Sequence, residues 1–267
     1  MSGISEGAPC WADVALPDPD AGKRFYGELF GWTFQDQGEE FGHYAMALRD
    51  GRNAAALAGK MNASTPTAWS VYLASSDIGK TAVRIREAGG QIVFGPDAVG
   101  DSGAMMGVID PGGSYLGVWQ PGSHTGFGVV NEPGGFSWTE NLTREVDTVD
   151  TFYTRVFGYD TQQVGDGAHF DYQVYSPPGD PEHPVGGRMR RAEDDPAGPA
   201  DAGSAYRVYF AVEDCDAAAA TVRRLGGRVL QEPRDSPFGR MAVVADDQGA
   251  RFAVIDTTRR VGEAPAR

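Results

Sequence analysis

The sequence predicts an α+β fold made of four βαβββ units paired into two tandem domains, and three observations carry that prediction. The first is an internal repeat. Residues 11–32, WADVALPDPDAGKRFYGELFGW, return as residues 138–159, WTENLTREVDTVDTFYTRVFGY. The second is a change of period inside each copy, from two in a strand to 3.6 in a helix. The third is punctuation, since Gly, Pro and Asp clusters separate the periodic segments throughout. A chain of 267 residues also suits two domains of ordinary size.

In the first copy Trp11, Asp13 and Ala15 share one strand face, and Ala12, Val14 and Leu16 share the other. Asp18 is placed to cap a helix that opens on Pro19, with Asp20 in its first turn. Phe25, Tyr26, Leu29 and Phe30 then fall on one helical side, spaced to pack on a sheet, and Gly31 supplies the stop. The second copy repeats the plan with Val149, Phe152, Tyr153, Val156, Phe157 and Gly158.

Residues 44–48 alternate like a strand, Asp50-Gly51 marks a hairpin turn, and residues 54–58 form the next strand. Trp69 opens a strand over 69–74, and Asp77 precedes a helix over 78–88 that Gly89-Gly90 ends. An extended piece over 91–94, a segment over 103–109, the turn Asp110-Pro-Gly-Gly113 and a strand over 115–120 complete the half. The units therefore span about 10–61 and 67–121. The second half repeats the order: Tyr172 answers Tyr44, Arg207 answers Ser70, Tyr209 answers Tyr72, Asp214 answers Asp77, and Gly226-Gly227 answers Gly89-Gly90. Residues 176–203 hold an insertion rich in Pro, Gly and Asp, which reads as a loop over one end of the second domain. The domains are expected at 8–121 and 136–258, with a linker at 122–135 and a flexible tail at 259–267.

A formal charge of -14 argues against nucleic acid and anionic membrane as partners. No run reaches the roughly 18 apolar residues of a membrane helix, and residues 1–10 lack the pattern of a signal peptide. A soluble, cytoplasmic protein is expected. Its two cysteines, Cys10 and Cys215, lie in different repeats without metal-like spacing and read as reduced thiols. Dinucleotide, phosphate-loop and nucleophilic-hydrolase signatures are missing from the sequence.

The strand, the Pro-Asp turn, the Phe-Tyr helix and the Phe-Gly-Trp end resemble the vicinal oxygen chelate superfamily, which includes glyoxalases, bleomycin-resistance proteins and extradiol dioxygenases. The chain is most similar to its tandem two-domain, hydroxylase-like branch. The resemblance implies two glyoxalase-like domains with cup-shaped mixed sheets, and it implies secondary metabolism as the setting. Enzymes of the superfamily hold a divalent metal with His, Glu or Gln at four places in a cup. Carried over, those places fall near Trp11, Ser70 and Gly117 in the first half and near Trp138, Arg207 and Ala253 in the second. None of these is a good ligand. The four histidines, His43, His124, His169 and His183, leave each cup at most one, so no metal and no cofactor are expected.

What the cup faces offer instead is aromatic and acidic. Trp11 is followed by Asp13, and Trp138 by Glu140, which suggests an aromatic wall with a carboxylate placed as acceptor or base. Tyr72 and Tyr209 alternate with Ser70 and Arg207 and should enter the same cups. Arg207 is more simply a partner for Glu140 than a substrate contact, and Trp69 and Trp119 can belong to the helix-side core. His43 and His169 are further candidate bases or ligand contacts. The leading expectation is metal-free binding of a hydrophobic or aromatic small molecule, as an antibiotic-binding or resistance protein or an accessory of polyketide tailoring. A tailoring enzyme is then a natural partner, and the chain can act as a monomer or homodimer. The alternative is an enzyme, either a metal-dependent lyase or dioxygenase or a cofactor-free hydroxylase with Asp13 or Glu140 as base.

Overall fold

A computed structural model describes residues 4–167, 170–192 and 204–262 of the chain. The first unit runs β1 (Pro9–Leu16), α1 (Pro19–Phe30), β2 (Thr33–Asp36), β3 (Ala45–Arg49) and β4 (Arg52–Gly59). The second runs β5 (Trp69–Ala74), α2 (Ile78–Glu87), β6 (Gln91–Val99), β7 (Gly103–Ile109) and β8 (Tyr115–Pro121). The third holds β9 (Phe136–Thr143), α3 (Val146–Phe157), β10 (Asp160–Val164), β11 (Tyr172–Ser176) and β12 (Gly186–Arg190). The last holds β13 (Ala205–Ala211), α4 (Cys215–Arg224), β14 (Arg228–Ser236), β15 (Gly239–Ala245) and β16 (Arg251–Asp256).

Each half forms one eight-stranded mixed sheet, in the order β2-β3-β4-β1-β5-β8-β7-β6 and β10-β11-β12-β9-β13-β16-β15-β14. The two units of a sheet meet where β1 runs antiparallel to β5, and β9 to β13. That seam fixes the site, because it sets Trp11 opposite Tyr72 and Asp13 opposite Ser70. In the second sheet it sets Trp138 opposite Tyr209 and Glu140 opposite Arg207.

Local chemistry explains the element ends. The Asp18 carboxylate accepts from the Ala21 amide at 2.9 Å, and Gly31 closes α1 at φ 69°, a left-handed conformation that costs glycine little. Asp77 and Asp214 cap their helices in the same way. Before α3, Glu145 makes no side-chain cap; Thr143 accepts from the Glu145 amide at 3.0 Å instead. The short strands β2 and β10, TFQD and DTQQV, have no counterpart among the sequence-predicted elements. They are largely exposed sheet edges with little apolar alternation to mark them.

Period two along β1 does what the sequence predicts: Ala12, Val14 and Leu16 join the helix-side core. That core is continuous between the halves. The Phe30 ring lies 5.1 Å from Phe210, and Tyr26 lies 5.7 Å from Phe252, so α1 of the first half packs on strands of the second. Phe25, Tyr26 and Phe30 are buried there, each burial being worth about 1.5–3 kcal/mol. The two sheets thus turn their helix-bearing faces toward one another. Each opposite face keeps its own small cluster, one around Trp11, Tyr72 and Trp119 and one around Tyr209, Ala253 and Ile255. Trp69 and Trp119 therefore part company. Trp69 belongs to the shared core, whereas Trp119 sits in the cup of the first half, since it has the same strand parity as Gly117.

Candidate functional site: a carboxyl held by tyrosines in each cup

In the first cup the Trp11 indole nitrogen donates to the Tyr44 hydroxyl at 2.8 Å, and that hydroxyl donates to Asp13 Oδ2 at 3.0 Å. The Tyr72 hydroxyl, from the antiparallel neighbour β5, donates to the same oxygen at 2.8 Å. The second cup repeats the plan. Trp138 donates to the Tyr172 hydroxyl at 2.8 Å, and Tyr209 donates to Glu140 Oε1 at 2.7 Å. Besides the change of acid from Asp13 to Glu140, the halves differ at the register position opposite it. Where the first has Ser70, the second has Arg207, whose guanidinium donates to Glu140 Oε1 at 3.0 Å.

This difference decides the electrostatics. Among the described residues Asp13 has only tyrosine hydroxyls as bonded partners, so burial pushes its carboxyl up from 3.8 to about 6, with the Tyr72 and Tyr44 hydrogen bonds pulling the other way. Burial, and then the nearby Asp13 charge, keep Tyr44 and Tyr72 protonated well above the ordinary tyrosine range. Asp13 Oδ1 has no hydrogen-bond partner among the described residues, yet the residue as a whole is only half-buried and this oxygen is not fully sealed. Glu140, by contrast, is 4% exposed and ion-paired.

The first cup is closed at its tryptophan end. The His124 ring meets Trp11 edge-on at 4.6 Å, Phe127 lies 5.6 Å from Trp11, and the Trp119 nitrogen donates to the His124 carbonyl at 3.0 Å. Trp11 is consequently only 4% exposed. Toward the other end Asp13, Ala15 and Ser70 are half-buried and Tyr115 is 36% exposed, so the carboxyl stands at the base of the open part. A separate cleft of about 310 Å³ lies between α1 and α4, around Phe30, Arg49, Val212 and Glu213, and none of the candidate residues lines it.

The structure brings together Trp11, Asp13, Tyr72 and Ser70 in one cup, and Trp138, Glu140, Arg207 and Tyr209 in the other. It does not bring in His43, which pairs with Asp36 at 3.0 Å on an exposed turn. His169 lies outside the described residues. Sequence reasoning missed Tyr44 and Tyr172 as members of the clusters, and it missed the packing of His124 on Trp11. The signal for the tyrosines was present, because each opens a matching strand segment in its half. Nothing local marks His124, a linker residue whose place depends on the path of residues 121–128.

Comparison with known proteins agrees with this architecture. Residues 11–118 match the Glyoxalase/Bleomycin resistance protein/Dioxygenase superfamily, and residues 140–255 match the Glyoxalase-like domain. The putative glyoxylase CFP32 of Mycobacterium tuberculosis is 37% identical over 94% of this chain and 95% of its own. The anthracycline biosynthesis proteins DauV of Streptomyces sp. (strain C5) and DnrV of Streptomyces peucetius are 31% and 32% identical, over 96% of this chain and 95% of theirs. This chain belongs to the glyoxalase/bleomycin resistance/dioxygenase superfamily, in a tandem two-domain form. Among solved structures, the Mn(II)-bound glyoxalase from Novosphingobium aromaticivorans aligns with a TM-score of 0.63 at 15% identity, covering 98% of this chain and 89% of that one. The halotolerant catechol dioxygenase BphC aligns at 0.65 and 14%, with the same coverage. At such identities the likeness is one of fold.

The fold family implies a divalent ion, and the described residues do not fit one. Among the described residues no three His, Cys, Asp or Glu side chains gather where they could hold a metal. The last-strand position is closed as well. A Cβ built on Gly117 would meet the Tyr72 ring at 2.1 Å, so a ligating side chain there cannot coexist with that ring. The donor set of the first cup is one carboxyl, tyrosine hydroxyls and a serine, a poor set for zinc, iron or manganese.

Proposed function

We propose that this protein binds an apolar, aromatic small molecule without a metal ion, as an antibiotic-binding or resistance protein or as an accessory of polyketide tailoring. The observation that carries the reading is the Tyr72 ring standing over Gly117, which puts an aromatic surface where a metal-ligating side chain would have to emerge. Tryptophan and tyrosine supply flat, amphipathic contact area and fixed hydroxyl groups, which suit an aromatic ligand with a few polar substituents. The relatives named for anthracycline biosynthesis support an aromatic polyketide as the ligand class. A second reading, a cofactor-free enzyme with Asp13 as base, is favoured by one observation: a carboxyl near pKa 6 suits proton transfer around neutral pH.

The test is titration of the full chain, purified without chelator, with polycyclic hydroxyanthraquinones and anthracyclinones. Tryptophan fluorescence and the thermal transition are both recorded. Binding raises the transition temperature in step with ligand concentration, through a stabilisation of about 2.7 kcal/mol at a hundredfold excess over Kd. Silence in both signals across the series overturns the proposal. Stoichiometric zinc, iron or manganese in the same preparation overturns its metal-free part.

A further inference from the structure

The two cups look alike in outline, but among the described residues only the second pairs its carboxylate with a cation, Arg207 on Glu140, and the first leaves Asp13 without one. Asp13 Oδ2 is taken by Tyr44 and Tyr72, while Oδ1 has no partner among the described residues and reaches solvent. The tyrosines hold the carboxyl in one orientation, so Oδ1 has a fixed place at the base of the open part of the cup. In the second cup the equivalent acid is buried and shares its Oε1 between a tyrosine and the Arg207 guanidinium.

Resting on the binding reading above, we propose that the first cup receives the ligand and that Asp13 Oδ1 accepts a hydrogen bond from an acidic hydroxyl on it, making hydroxylated aromatics the favoured class. The acceptor is a carboxylate, and among the described residues no cation is bonded to it; each hydroxyl already on it is a donor used up at Oδ2. A hydroxyl donor completes such a group, whereas an ether or carbonyl oxygen at the same place sets acceptor against acceptor. A hydrogen bond to a charged group in a half-buried site is among the stronger polar contacts, so discrimination by one hydroxyl is large. Ser70 is the residue that keeps the site open. Its counterpart Arg207 shows what an arginine at that register position does to the acid opposite.

The experiment compares 2,6-dihydroxyanthraquinone with its dimethyl ether, 2,6-dimethoxyanthraquinone, on the full chain by calorimetry and tryptophan quenching. Wild type is expected to prefer the hydroxylated compound by about 10-fold or more. Asp13→Asn removes the anion while keeping size, and Ser70→Arg gives Asp13 the partner that Glu140 has; each is expected to erase the preference. The second variant leaves the carboxyl in place, so it serves if the first does not fold. Equal affinity of wild type for the two compounds overturns the inference while leaving aromatic binding intact. So does a preference that survives Ser70→Arg, or one lost in Glu140→Gln and kept in Asp13→Asn. Failure of wild type to bind either compound strikes the underlying binding reading instead.

Discussion

The Tyr26 hydroxyl, from a helix of the first half, donates at 2.8 Å to Asp246, which sits in the β15–β16 turn of the second half. The second copy returns the contact, with Tyr153 donating at 2.9 Å to Asp110 in the β7–β8 turn of the first. The tyrosine of each Phe-Tyr pair thus reaches across to the opposite half. Both aspartates are nearly sealed from solvent and also accept from the backbone of their own turns. Burial raises both carboxyls above the ordinary range. Tyr26→Phe should therefore cost about 2–4 kcal/mol, because it leaves Asp246 Oδ2 without its donor and the Trp69 nitrogen without its acceptor. Urea unfolding of the single variant checks this. A loss under about 0.5 kcal/mol would mean that the contact does not contribute to docking.

How far the sequence foretold these features depends on their range along the chain. The order of elements apart from the edge strands β2 and β10, the Asp18, Asp77 and Asp214 caps and the cup-facing parity of Trp11, Asp13, Tyr72 and Ser70 rest on local period and capping chemistry, and these were legible. Trp119 and Gly117 share a parity that marks the cup face, yet the expectation for Trp119 was the helix-side core, and the structure corrects it. The Tyr26–Asp246 contact spans 220 residues, and period alone says only that Tyr26 is buried, not by what. Tyr44 escaped for a similar reason: it lies just before β3, and its bond to Asp13 depends on how β3, β4 and β1 stack side by side. The His124 packing depends on a linker path that no periodicity describes.

Asp13 should lower the stability of the folded chain at neutral pH. Its carboxyl stands near 3.8 when unfolded and about 6 when folded, so the native state holds its proton more tightly. The sign follows from that difference. Native stability is undiminished below about pH 4, falls as pH rises toward 6 and stays lower beyond it. The size of the loss is on the order of 3 kcal/mol at most. Asp13→Asn should remove it, making the variant more stable than wild type at pH 7.5 and about equal at pH 4. Denaturant unfolding at the two pH values decides the matter. A variant less stable at both would show that the tyrosine bonds to the carboxylate outweigh its desolvation.

The Tyr72 ring and Gly117 are coupled through a shared volume, and the coupling can be measured. A side chain at position 117 would begin within 2.1–2.7 Å of three Tyr72 ring atoms, well inside contact distance. The ring cannot swing away cheaply, because its hydroxyl is fixed to Asp13 at 2.8 Å and it packs with Trp11 and Trp119. Gly117→Glu alone should therefore destabilise by about 3 kcal/mol or more, from overpacking together with burial of a second carboxyl near Asp13. Tyr72→Ala alone should cost about 3–5 kcal/mol, from the lost ring and the cavity. Combined, the two should cost less than their sum by about 1–3 kcal/mol, since the space vacated by the ring accepts the new side chain. A double-mutant cycle in urea gives the coupling directly. Strict additivity would mean that the ring moves aside without cost, and position 117 would then be open to a ligating side chain after all.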